Sequence, residues 1–208
     1  MAGVMPQRMT FDDLARLVAA KAEGRDRFTV AVAGAPGAGK STLAGRLADA
    51  LGSRAVVVPM DGFHFDNAIL EARGQMAVKG APQTFDVAGF GALMARLQSE
   101  DAVAIPVFDR SADLARAGAA IVSAATPIRI VEGNYLLLDR PGWRDLRRHF
   151  DLTVFLDVPE EELERRLIQR WLDHGLDPDA ARARALSNDI PNARLVVSES
   201  VDGDVIVS

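Results

Sequence analysis

The chain has 208 residues, 49% hydrophobic and 25% charged, with 29 acidic against 24 basic side chains and a net charge of −5. That length and balance describe one globular domain, 1–208, with room for a sizeable core, and the acidity argues against a nucleic-acid partner. The absence of cysteine excludes disulfides, thiolate metal sites and cysteine nucleophiles.

Residues 1–10 lack the apolar stretch of a secretory leader. No segment reaches the roughly 18 to 20 apolar residues of a membrane span. A cytoplasmic protein without a membrane partner is therefore expected. Thr10, as an N-cap before Phe11, Leu14, Leu17 and Val18, predicts an amphipathic helix within 10–24. Phe28 to Ala33 reads as a buried strand that ends at Gly34. Beyond Lys40, the four-residue spacing of Leu43, Leu47 and Leu51 predicts a helix. Ala55 to Met60 is a second apolar run. Residues 63–86 are irregular, hold Gly74, Gly80 and Pro82, and read as a substrate loop. Phe90, Leu93, Met94 and Leu97 share one helix face. Val103 to Phe108 is strand-like, with Pro106 suited to an edge or a bulge. Ile128–Val131 and Leu152–Leu156 are further strands. Pro159 and Glu160–Glu162 open a helix whose apolar face is Leu163, Leu167 and Trp171. Residues 160–192 form a small helical lid and its following helices, and Val205–Val207 closes the sheet at an edge. Strands alternating with helices predict an α/β, three-layer fold with a mostly parallel five-stranded sheet covered on both faces.

The basic residues are 21 Arg and only three Lys: Lys21, Lys40 and Lys79. A lysine here stands against the trend of the chain. Gly34-Ala-Pro-Gly-Ala-Gly-Lys40-Ser41 fits the phosphate-loop pattern G-x-x-x-x-G-K-[ST], between an apolar strand and an amphipathic helix. Glycines let the backbone curl so that its N–H groups face phosphate, and the following helix adds its N-terminal dipole. Gly34, Gly37, Ala38, Gly39, Lys40, Ser41 and Thr42 are thus the candidate triphosphate cradle, with the Ser41 hydroxyl on Mg²⁺.

Four acids follow apolar strands: Asp61, Asp109, Glu132 and Asp157. The carboxyl ends of strands form the ligand crevice of open α/β sheets. Carboxylates there suit Mg²⁺ binding and proton acceptance from a hydroxyl. Asp157 is explained fully by capping the next helix, and that reading is favoured for it. Asp61 and Glu132 are the functional candidates.

Met60-Asp-Gly-Phe-His64 resembles the Asp-Gly-Phe segment of type I pantothenate kinases and the corresponding segment of uridine kinases and phosphoribulokinases. Lys79-Gly-Ala-Pro-Gln-Thr-Phe-Asp86, Ile105-Pro-Val-Phe-Asp109, Ile130-Val-Glu-Gly133 and Ile168-Gln-Arg-Trp171 follow in the same order as their counterparts in that superfamily. The resemblance runs from about Phe28 to Val207. Asp-Gly-Phe-His, Val-Glu-Gly-Asn-Tyr, Arg-Trp-Leu and Asn188-Asp-Ile-Pro-Asn192 look most like a small bacterial subgroup labelled nucleoside/sugar kinases or kinases linked to fructose transport. Asp109-Arg110 and the single Tyr depart from the pantothenate kinases, and Asp61-Gly62 departs from the uridine kinases.

The resemblance implies a P-loop kinase that transfers phosphoryl from ATP, with Mg²⁺, to the hydroxyl of a small metabolite. Asp61 would take the acceptor proton, and Glu132 would assist Mg²⁺. Asp109 and Arg110 would orient substrate, and Arg166 and Arg170 would reach the transferring phosphoryl from the lid. His64 and Asn188 either bind substrate or shape their turns. Arg166 can equally pair with Glu162 four residues earlier. His149 and His174 read as surface residues, and Trp143 and Trp171 as packing. Relatives form dimers or tetramers, so a homodimer is an expectation. A guanine-reading Asn/Thr-Lys-x-Asp motif is absent, because the three lysines follow Ala20, Gly39 and Val78. A non-catalytic nucleotide-binding module remains the rival reading.

Overall fold

The computed structural model describes residues 6–208; residues 1–5 of the leader segment considered above lie outside the described residues. The elements in chain order are β1 (Gln7–Arg8), α1 (Phe11–Lys21), β2 (Phe28–Gly34), α2 (Lys40–Leu51) and β3 (Ala55–Pro59). Then come α3 (Asn67–Ala72), α4 (Val87–Ser99), β4 (Ala102–Asp109), β5 (Leu114–Ser123) and β6 (Ile128–Gly133). β7 (Leu152–Leu156), α5 (Glu160–Asp173), α6 (Pro178–Arg184), α7 (Ile190–Glu199) and β8 (Val205–Val207) complete the chain.

The main sheet has six strands in the order β1-β8-β7-β2-β6-β3, every pair parallel. The predicted count of five is corrected by composition as well as number. β1 pairs with β8, so Val205–Val207 lies inside the sheet rather than at its edge. The 103–108 strand is not in this sheet: β4 pairs antiparallel with β5 in a separate hairpin, with a register shift between Ile105 and Val107 that accommodates Pro106. Helix α1 starts as the sequence predicts. The Thr10 side chain accepts from the Asp13 N–H, and the helix ends at Lys21.

Successive side chains of a strand face opposite sides, and β2 shows the result. Val30 and Val32 join a core with Leu14, Val18, Leu43, Leu47, Leu163 and Leu167, drawn from α1, α2 and α5. Ala31 and Ala33 face the other core, with Phe90, Met94, Tyr135 and Trp143. Both faces of the central strand are dry, as an all-parallel sheet requires.

Register positions the site. β2 and β3 flank β6, with Val32 and Pro59 both opposite Glu132. The loop after β2, the turn after β3 and Glu132 therefore emerge side by side at the carboxyl edge of the sheet. The predicted substrate loop carries α3, and its ends are tied by the bridge between His64 and Phe85. Helices α6 and α7 are joined by a wide π-type turn, Ala185–Asp189, in which the Ile190 N–H reaches back to Ala185. Pro191 supplies the cause: it has no N–H for the carbonyl four residues earlier and its ring crowds that carbonyl.

Candidate active site

Strand β2 delivers the phosphate loop. Gly39 holds φ 98°, a left-handed turn that sets the next residue as the first of α2. Lys40 is buried, and its Nζ donates to the Ala35 carbonyl at 2.9 Å. Burial pulls the ammonium down to about 8, against the opposing pull of Glu132 and Asp61. A polyanion in the loop would favour its charged form further.

Glu132 is buried at the end of β6 and accepts the Ser41 hydroxyl at 3.1 Å. Burial, then the like charge of Asp61, holds its carboxyl above the ordinary range. A hydroxyl and a carboxylate this close are oxygen donors of the kind Mg²⁺ takes, one or two from protein and the rest from phosphate and water. Among the described residues no group of three His, Cys, Asp or Glu side chains gathers to hold an ion. The Ser41 and Glu132 donors fit Mg²⁺ carried with a nucleotide.

Asp61 sits in the short turn after β3. Its carboxylate meets Arg110 Nη2 at 2.8 Å, which bridges the main sheet to the tip of the β4–β5 hairpin. The next residue must be glycine: a Cβ on Gly62 would stand 2.5 Å from the Pro106 carbonyl oxygen. His64 Nδ1 lies 2.8 Å from the Asp61 carbonyl oxygen. A carbonyl only accepts, so Nδ1 carries the proton. The imidazole is packed by Phe85 and Phe108, and burial lowers its basicity.

Two cavities meet here. One, about 250 Å³, is lined by Gly37, Gly39, Lys40, Ser41, Thr42 and Glu132. The other, about 410 Å³, is lined by His64, Lys79, Phe85, Phe108, Arg184, Asn188 and Asn192 among others. Asp61, Arg110, Asn134, Arg170 and His174 line both. Arg170 is held by Asp189 at 3.0 Å, and the same carboxylate accepts Trp171 Nε1–H at 2.6 Å. Asn188 donates to the Lys79 carbonyl at 2.9 Å, so the π-type turn is tied to the loop it faces.

Some predicted residues are not brought together. Asp109 ends β4, and its carboxylate accepts Ser111 Oγ and the Ser111 and Ala112 N–H groups. It lies 3.6 Å from Arg116 and lines neither cavity. The hairpin tip consumes it, and Arg110 alone turns inward. Arg166 pairs with Glu162 at 2.7 Å and donates to the Ala38 carbonyl at 3.0 Å, bracing the back of the phosphate loop. Gly34 and Ala38 shape the loop without lining the cavity. Asp157 binds Arg8 at 2.9 Å rather than capping α5. His149 is buried, not at the surface, whereas His174 is exposed as expected, at the mouth of the crevice with Nδ1 against the Arg170 carbonyl. Trp143 is packing, whereas Trp171 lines the larger cavity. Sequence reasoning missed Asn134, Arg184 and Asp189 as lining residues. Asn134 stands next to the Glu-Gly pair at the end of β6 and was within reach of the strand-end argument.

Comparison with known proteins agrees with this geometry. A family model described as "AAA domain" matches residues 30–188. "Uncharacterized protein YggC" of Escherichia coli (strain K12) is 36% identical over 186 residues, which cover 87% of this chain and 77% of that one. "Putative uridine kinase C227.14" of Schizosaccharomyces pombe is 31% identical, covering 97% of this chain and 92% of that one. The crystal structure of a "putative fructose transport system kinase" from Silicibacter sp. TM1040 superimposes with a TM-score of 0.90 at 48% identity, covering 95% and 98% of the two chains. With its phosphate loop, strand-end acids and coverage of nearly the whole chain, the protein belongs to the P-loop small-molecule kinases of the phosphoribulokinase, uridine kinase and type I pantothenate kinase superfamily, and it is a kinase.

Proposed function

We propose that this kinase transfers the γ-phosphoryl group of Mg-ATP to a hydroxyl of a small polar metabolite of sugar-like or nucleoside type. The observation that carries the reading is the meeting of the two cavities at Asp61. A phosphate-binding cavity and a larger cavity of small-molecule size open onto one carboxylate. The names of the Silicibacter and S. pombe relatives support a sugar and a nucleoside respectively.

Phosphoryl transfer asks a protein for alignment, charge neutralisation and a proton acceptor. The N–H groups from Gly37 to Thr42 and the start of α2 hold the triphosphate, and Lys40 neutralises its outer oxygens. Mg²⁺, when bound, would supply positive charge that offsets the charge of the phosphates. Ser41 and Glu132 are the side chains that would hold it. Asp61 accepts the proton of the acceptor hydroxyl. Arg110 and Arg170, which line both cavities, lie where charge develops between donor and acceptor. His64 and Asn188 line the acceptor side.

The test is acceptor-dependent ADP release over a panel of sugars, polyols and nucleosides, with uridine, fructose and pantothenate included. Stimulation by a member of the panel, with one phosphorylated product per ADP, is the expected result. ADP release that no hydroxyl compound stimulates would favour a nucleotide-binding module.

A further inference from the structure

The acceptor cavity carries a positive charge that the transfer chemistry does not use. Its lining includes Lys79, Arg110, Arg170 and Arg184 against the carboxylates of Asp61, Asp113 and Asp189. Three of the four cations are matched: Lys79 with Asp113 at 2.8 Å, Arg110 with Asp61 at 2.8 Å and Arg170 with Asp189 at 3.0 Å. Arg184, the last residue of α6, has no ion pair with a carboxylate among the described residues. The one hydrogen bond of its guanidinium among the described residues is a long contact, 3.3 Å, to the Ala77 carbonyl. A guanidinium offers five N–H donors in a planar fork, so most of its capacity is unspent.

Its position is nonetheless set. The Arg184 guanidinium lies 5.3 Å from the centre of the Trp171 ring, and that ring is anchored through Nε1–H to Asp189. A cation resting on an anchored aromatic face is oriented before any ligand arrives. Arg110 and Arg170 line both cavities and serve the phosphoryl group. Lys79 and Arg184 line only the acceptor cavity. Lys79 is largely buried and spent on Asp113 and Asn67, which leaves Arg184 as the cation dedicated to the acceptor. A neutral acceptor that closed the cavity would strip water from a charge with no counter-ion, which is unfavourable.

We infer that the acceptor is an anionic alcohol: a hydroxyl compound bearing a carboxylate or a phosphate that forms a charge-assisted, two-pronged pair with Arg184. This rests on the phosphotransfer reading above and narrows its substrate class. An aldonic or other hydroxy acid, a sugar phosphate or a nucleoside monophosphate has the required chemistry. Fructose and uridine as such do not.

The experiment uses matched panels on the full-length protein: fructose, gluconate and fructose 6-phosphate in one, and uridine and its 5′-monophosphate in the other. ADP release and ligand-induced shifts of the melting temperature are both read. A charged member should exceed its neutral partner in kcat/KM by about tenfold or more, the usual worth of a charged hydrogen bond. Gluconate against the phosphates separates a carboxylate from a phosphate site. Arg184→Ala should raise KM for the charged member by about tenfold with a much smaller change in kcat, and Arg184→Lys should recover part of the loss. Neutral members that match or exceed the charged ones, or an Arg184→Ala variant with unchanged KM, would overturn the inference and leave the kinase reading intact. If no member is phosphorylated, the kinase reading fails on these acceptors. The melting shifts then decide the inference: a shift by charged ligands that Arg184→Ala abolishes supports it, and no such shift overturns it.

Discussion

Arg110 at the tip of the hairpin and Asp61 at the end of β3 are joined by a 2.8 Å ion pair between the main sheet and a separate β-hairpin. Arg110 is more exposed than Asp61, 62% against 24% of the side chain, so the arginine is the partner free to move. The pair keeps a cation beside the Asp61 carboxylate, at the border of the two cavities. Arg110→Ala should lower kcat by about a hundred- to a thousandfold, the range seen when one group stabilising transition-state charge is removed. A steady-state comparison with wild type at saturating ATP checks this. An unchanged kcat would assign the pair to hairpin docking alone.

Lys40 gives a pH dependence of definite sign. Burial lowers its ammonium to about 8 in the free protein, and a bound polyanion favours the charged form. Nucleotide therefore binds the protonated lysine. Its contribution to affinity is constant below that value and weakens as pH rises through it, by about tenfold per unit. Calorimetric titration of ATP from about pH 7 to about pH 9.5 should show the break near the lysine's own value. Affinity that holds constant to the alkaline end would contradict it. Lys40→Ala should weaken ATP binding throughout and remove the break.

Gly62 explains a feature of the sequence in steric terms. The Asp-Gly pair leaves no room for a Cβ, which would meet the Pro106 carbonyl at 2.5 Å and displace the bulged strand of the hairpin. Gly62→Ala should lower stability by about 1–3 kcal/mol, the usual cost of overpacking. It should also raise acceptor KM more than ATP KM, because the hairpin carries Phe108 and Arg110 into the acceptor cavity. Thermal melts and two-substrate kinetics measure both effects. Equal changes in the two KM values would mean that the hairpin does not serve the acceptor.

Asp189 holds two lining side chains at once, Arg170 and Trp171. Asp189→Ala should release both and lower kcat/KM for the acceptor by about ten- to a hundredfold, with ATP affinity little changed. Retained acceptor kinetics would show that neither side chain needs this anchor.

Much of this was readable from residues alone, for identifiable reasons. The phosphate loop has a fixed spacing whose lysine is rare in this chain, and strand ends point to Asp61 and Glu132. Pro106 announced its bulge. Strand β5 stayed hidden because most of its side chains, including Arg116, are exposed, so it lacks the apolar alternation of a half-buried strand. With its partner invisible, β4 read as one more strand whose end faces the main crevice, and Asp109 was misplaced with it. Arg184, Asp189 and Trp171 come together because α5, α6 and the wide turn after α6 pack against one another and meet the segment at Ala77 and Lys79. That is a tertiary outcome with no local spacing to betray it. Arg166 offered two readings, and its position against Glu162 and the Ala38 carbonyl is the bracing one.

The most direct test of the account is the Asp61→Asn variant, with nucleotide binding and acceptor-dependent ADP release measured on the same preparation. The substitution keeps the shape and removes the proton acceptor. ATP affinity within a factor of about two of wild type, with transfer lowered by about 10² to 10⁴-fold, is the predicted result. Transfer at a near-normal rate would contradict the role assigned to Asp61, and with it the claim that the two cavities meet at the reacting centre.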